Sequence, residues 1–194
     1  MRDITQNEMR LVLYILKSPE KLYNASNLSR LLGISVMGAS KIAKKLEKDG
    51  IITATEHGKA IFYKINTNND YTRSYVKFLL QGEAEQSPPY IKRWITEVKK
   101  IIDADVIILF GSVLTTYEGA KDIDVLLITD KKRFSKVKTE VEGINLINIK
   151  KLHPIYQTKE DLKENIKKRD KVIINAIKGV VVSGEEIAIQ LLAI

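Results

Sequence analysis

Over the first 67 positions, apolar residues recur at three- and four-residue spacing and then give way to two short extended runs. Met9, Val12, Leu13 and Leu16 form one face of a helix predicted from Thr5 to Lys17. Thr5 is placed to cap it, with Glu8 as the reciprocal capping-box partner. A second helix is predicted from Asn24 to Leu32, burying Leu28, Leu31 and Leu32, with Gly33 just past its end. Ser35 caps a third, carried by Val36, Ala39, Ile42, Ala43 and Leu46 and stopped by Gly50. Gly38, inside that helix, costs about 1 kcal/mol against alanine and leaves room for another backbone to approach. Ile51 to Thr55 and Ile61 to Ile65 read as a hairpin around the basic tip Glu56-His57-Gly58-Lys59. A fourth helix, Asp70 to Gln81, gathers Tyr71, Tyr75, Phe78 and Leu79 on one face, suited to packing within the chain or to a dimer contact.

Gly82 to Pro89 interrupts the pattern. The stretch is polar, opens on glycine and closes on two prolines, which lack amide donors and restrict the residue before them. Pro89 then opens a helix through Ile91, Trp94, Ile95, Val98 and Ile101-Ile102. Beyond it, strands are predicted at 105–110, 124–129, within 143–149 and in 152–156, with helices over 112–117, 132–142 and 158–178. The expected class is α/β in two domains, of α+β type: residues 1–67, a connecting helix and linker at 68–87, and a small mixed-sheet domain at 88–194.

Composition narrows this picture. No apolar run approaches the roughly 20 residues of a membrane span, and the polar opening segment does not read as a signal peptide. The chain has no cysteine, which excludes disulfides and thiolate metal sites. A cytoplasmic location without membrane contact is the expectation. The net charge of +8 is unevenly spread: residues 1–82 hold 13 Lys/Arg against 7 Asp/Glu, so +6, and the remainder 19 against 17, so +2. An excess of cations in the first half favours a polyanionic partner there.

The densest chemistry lies in residues 106–128. An apolar run ends at Phe110-Gly111-Ser112, and Asp122-Ile123-Asp124 opens a second. Alternation along a strand puts Asp122 and Asp124 on one face and turns Ile123 and Val125 into the core. Two carboxylates so placed can grip a divalent cation that also takes phosphate oxygens. Gly111 allows close backbone approach, and Ser112 offers a hydroxyl and a cap to a following helix whose amides favour an anion.

Phe110-Gly111-Ser112 followed by Asp122-Ile123-Asp124-Val125 resembles the signature of DNA polymerase beta-like nucleotidyltransferases, best their minimal MNT-type members, over about residues 88–190. The resemblance implies that Gly111 and Ser112 contact a nucleoside triphosphate and that Asp122 and Asp124 hold catalytic Mg²⁺. Asn27-Leu28-Ser29-Arg30-Leu31-Leu32-Gly33-Ile34-Ser35 and Ile42 to Ile52 resemble winged helix-turn-helix transcriptional regulators, over about residues 5–67. That resemblance implies double-stranded DNA as partner, with the third helix in the major groove, the wing tip on the backbone or minor groove, and a homodimer on a two-fold site. Ser35, Met37, Ser40, Lys41, Lys44 and Lys45 would face the duplex, with Lys59 in the wing. Lys41, Lys44, Lys45 and Lys48 suit phosphate contacts, and His57 in the wing is expected to be exposed.

Active nucleotidyltransferases of the resembled family carry a third carboxylate on a neighbouring strand, and none lies between Ile144 and Thr158. Asn145 and Asn148 bring no charge and no base. His153, before Pro154, reads first as structural, with metal ligation or proton shuttling as alternatives. The fusion favours a DNA-binding regulator with a nucleotide-binding, catalytically degenerate second domain. The alternative is an active metal-dependent transferase moving NMP from an NTP to a protein or RNA hydroxyl. By resemblance to the minimal family, that enzyme could be an antitoxin acting on a toxin-type protein partner.

Overall fold

The computed structural model describes residues 4–193. It is an α/β protein with ten helices, a two-stranded hairpin and a four-stranded mixed sheet among the described residues. The chain divides into two units, residues 1–79 with 192–194, and residues 80–191.

In the first unit, α1 (Gln6–Leu16), α2 (Ala25–Leu32) and α3 (Val36–Lys48) precede the hairpin β1 (Ile52–His57) and β2 (Ala60–Ile65). The predicted caps form. Thr5 and Glu8 make a reciprocal capping box, Asn24 and Asn27 make another, and Gly33 ends α2 in the left-handed conformation. Leu11, Val12, Leu16, Leu28, Ala39, Ala43 and Leu46 are buried, whereas Leu31, expected inside, is exposed. Strands β1 and β2 pair antiparallel from Ile52↔Ile65 to His57↔Ala60, which leaves Gly58 and Lys59 at the turn.

Helix α4 (Asp70–Glu85) runs beyond its expected end because Glu83, Ala84 and Glu85 sustain a helix that stops before Pro88. Its predicted apolar face divides: Tyr75 and Leu79 are buried with Val76 and Leu80, while Tyr71 and Phe78 remain exposed.

In the second unit, α5 (Pro89–Val98) starts on its proline and buries Ile91, Trp94, Ile95 and Val98. Strand β3 (Val106–Phe110) is followed by the short helix α6 (Val113–Thr116) and one 3-10 turn, Tyr117–Gly119. Then come β4 (Ile123–Ile128), α7 (Phe134–Ile147), β5 (Leu152–Gln157), α8 (Lys159–Lys167), α9 (Lys171–Ala176), β6 (Val180–Ser183) and α10 (Glu185–Leu192). The strand order is β5-β4-β3-β6, with β4 parallel to β5 and β3 antiparallel to both its neighbours.

Three expectations for this unit are corrected. No strand lies within 143–149; α7 continues as far as Ile147 because Val137, Val141 and Ile144 keep helical spacing against the core. The single helix over 158–178 is two, since Arg169 turns to a positive φ of 54° and Asp170 then caps α9. The fourth strand of the sheet is β6, built on the apolar run Val180 to Val182.

Both faces of the sheet are covered. Ile107, Leu109, Ile123, Val125 and Leu127 join Trp94, Ile95, Val98, Val137, Val141 and Ile144 in one core. Every side chain of β3 is buried, and along β4 only Asp124 keeps partial exposure. At the edge of this core, Glu97 accepts from Lys100 Nζ at 2.8 Å and from Asn148 Nδ2 at 2.9 Å, and these bonds hold its carboxyl below the usual range. A carboxyl depressed in the folded state stabilises above its unfolded value, and that contribution is lost as pH falls through the folded value. The melting temperature of the wild type is therefore expected to fall more steeply than that of Glu97→Gln below about pH 4, under the ordinary glutamate range. Parallel melting curves down to that pH would refute the assignment.

Candidate functional site

Asp124 is the centre of the cluster in the second unit. It lies opposite Phe110 in the antiparallel pairing and opposite His153 in the parallel one, so three strands bring Gly111, Asp124 and His153 together. Asp124 Oδ1 lies 3.0 Å from His153 Nδ1. Its other oxygen packs over Gly111, where an added Cβ would collide with the carboxylate. Gly111 also has φ +79°, a conformation that favours glycine. Ile123 and Val125 are fully buried behind Asp124, as the alternation predicted, and the carboxylate side chain is 23% exposed.

Asp122 is exposed in the bend before β4. Ser112 is also exposed, but its side chain makes no cap; instead its carbonyl accepts from Thr115 N and Thr116 N. The expected hydroxyl cap is thereby corrected: Ser112 itself has helical angles, φ −64° and ψ −25°, rather than the extended ones of a capping residue. Tyr117 has φ 49°, a strained value for a side chain of its size, in the turn after α6, and Lys150 Nζ holds that turn by donating to Glu118 O.

Carboxylate oxygens are hard donors, and Mg²⁺ typically takes one or two of them with the phosphate oxygens of a substrate. Asp122 and Asp124 supply two such donors by their chemistry, one in the bend before β4 and one on the strand. Among the described residues no three His, Asp or Glu side chains converge as metal ligands. The donor set thus suits an ion completed by nucleotide and water rather than a two-ion cage. The position beside Asp124 on β5 holds an imidazole, and sequence gave no signal for that contact because the partners are 29 residues apart.

Two adjoining clefts of about 280 and 430 Å³, sharing Thr129, Asp130, Lys131, Thr158 and Asp161, lie away from this cluster and open where β4 and β5 end. Asp122, Asp124 and His153 stand where those strands begin. The two carboxylates that line both clefts, Asp130 and Asp161, are engaged locally. Asp130 bonds the amides of Lys132 and Arg133 and the Arg133 side chain, and Asp161 closes the capping box of α8.

In the first unit, Ser35 is exposed and its Oγ accepts from Gly38 N at 3.0 Å, so its hydroxyl is engaged in capping α3. A Cβ on Gly38 would come within 3.2 Å of that oxygen, so Gly38 makes room for the cap, and no backbone of another element lies among its nearest neighbours. Met37, Lys41 and Lys44 are exposed on α3, Ser40 is half-buried, and Lys48 is exposed at its end. Lys59 and His57 are exposed at the hairpin tip, with His57 against the Phe62 ring. Lys45 differs from its neighbours: its Nζ lies 2.6 Å from Glu8 Oε1, and Glu8 is 1% exposed.

No helix among the described residues is long and apolar enough to cross a membrane. Compared with models of known protein families and with curated proteins, the chain matches none.

Proposed function

We propose that this chain is a DNA-binding regulator of winged-helix type whose second unit is a nucleotide-binding domain resembling nucleotidyltransferases. The observation that carries the DNA half is the pairing of a capped helix exposing Met37, Lys41 and Lys44 with a hairpin tipped by Lys59, in the more cationic part of the chain. Such a helix suits the major groove, with the lysines on phosphate and the wing on the flanking backbone. Exposed Tyr71 and Phe78 on α4 suit the contact of a homodimer on a two-fold site.

For the second unit, the support is Gly111 beneath Asp124 with Asp122 two residues away. Asp122 and Asp124 would hold Mg²⁺, which when bound neutralises phosphate charge. Gly111 and Ser112 would meet the triphosphate. His153 stands beside Asp124 where a third acid is expected, so two carboxylates and no third one are available to a metal, and this supports binding over turnover. A ligand that binds the two DNA-affinity states differently would then act as an effector.

Calorimetry of the full chain with ATP and Mg²⁺ is expected to show binding that Asp122→Asn with Asp124→Asn abolishes. Anisotropy of labelled duplex DNA, read with and without that nucleotide, is expected to show altered affinity. Absence of binding to all four NTPs would overturn the nucleotide half, and absence of duplex binding at low salt the DNA half. The transferase alternative keeps one observation in its favour, the partial exposure of Asp124 beside an imidazole. In that reaction an acceptor hydroxyl attacks the α-phosphorus, pyrophosphate leaves and the hydroxyl proton is lost. Transfer of α-phosphate label from an NTP to a protein or RNA of a lysate would replace the degenerate reading with it.

A further inference from the structure

We infer that Lys45 is a positioning residue that ties α3 to the start of α1, leaving Lys41 and Lys44 to carry the phosphate contacts. The consequence for DNA rests on the function proposed above; the tether rests on geometry alone. Glu8 is buried, and a buried carboxylate is stable only when it is paired and hydrogen-bonded. One of its oxygens accepts from Thr5 N at 2.9 Å, closing the capping box of α1. The other receives the Lys45 ammonium at 2.6 Å from the last turn of α3. One carboxylate therefore satisfies the first turn of α1 and anchors the far end of α3.

The same pairing argues against Lys45 as a phosphate ligand. A phosphate reaching its ammonium would approach the Glu8 carboxylate, and like-charge repulsion would cancel much of the attraction. Lys41 and Lys44 have no acidic partner among the described residues, and both are exposed one turn or less away. Of the four lysines expected on phosphate, all exposed, Lys45 is the one paired among the described residues with a buried carboxylate, so the ion pair and not burial sets it apart.

The test uses the full chain, its melting temperature and the salt dependence of duplex binding. Lys45→Met is expected to lower the melting temperature by roughly 10 °C, since it removes the ammonium paired with a buried carboxylate. It should weaken DNA binding at a temperature where the chain is folded, with an unchanged slope of log K against log salt. Lys45→Arg should restore both stability and affinity, and Glu8→Leu combined with Lys45→Met should recover part of the lost melting temperature. A slope reduced by about 0.9 with an unchanged melting temperature would make Lys45 an ordinary phosphate contact and overturn the inference. If the wild type binds no duplex, the DNA proposal fails, and the Glu8–Lys45 mutant cycle still decides the tether: additive effects on melting would overturn it. Should Lys45→Met not fold, Glu8→Gln and Lys45→Gln supply the same cycle.

Discussion

Gly111→Ala is expected to destabilise the second unit and to abolish nucleotide binding together. The backbone there has φ +79°, which costs an L-residue about 1–2 kcal/mol. The new methyl would also overlap the Asp124 carboxylate, which must swing out and give up its bond to His153. Losing that bond adds about 1 kcal/mol, so the total is about 2–3 kcal/mol, or a melting temperature lower by on the order of 10 °C. Differential scanning calorimetry reads the first effect and titration with ATP and Mg²⁺ the second. A second substitution separates fold from site. Asp124→Ala in the Gly111→Ala background removes the overlap and should recover part of the melting temperature, without restoring nucleotide. A Gly111→Ala protein with wild-type stability and nucleotide affinity would refute the assigned geometry.

The double variant Lys41→Ala with Lys44→Ala is expected to reduce the slope of log K against log salt for duplex binding by about 1.8, at about 0.9 for each phosphate released. At 0.1 M salt each such contact is worth roughly eightfold, so the affinity should fall roughly 60-fold. Both side chains are exposed on α3, so folding stability should change little. The loss should be similar on every duplex sequence, because phosphate contacts position a protein without reading bases. An unchanged slope would remove α3 from the DNA surface, whatever the affinity. Comparison with Lys45→Met then distinguishes a residue that meets phosphate from one that holds the helix.

Local elements were largely legible because their signals are short-ranged. Thr5 with Glu8, Asn24, Ser35 and Gly33 mark helix ends by hydrogen bonds to amides or carbonyls a few residues away. Pro89 opened α5 for the same reason, and the alternation of β4 predicted Ile123 and Val125 inside. The errors arose where a short apolar run fits two periods. Ile144, Leu146 and Ile147 alternate like a strand, yet the contacts of Val137 and Val141 continue as a helix, leaving Leu146 and Ile147 exposed. Arg169 carries no residue-type signal for its left-handed conformation, so the break between α8 and α9 was hidden.

The sequence by itself determined the capped helices, the hairpin with its cationic tip, the Gly111 turn and Asp124 on β4 between buried Ile123 and Val125. Each depends on groups within about one turn or one pleat of each other. The expected pairing of Asp122 with Asp124 on one strand face is corrected, because β4 begins only at Ile123 and Asp122 lies in the bend before it. Only the tertiary structure decided that His153 stands beside Asp124, that Lys45 belongs to Glu8, and that β6 completes the sheet on β3. Those pairings join segments far apart in the chain, where strand register and helix packing, rather than local periodicity, select the neighbour.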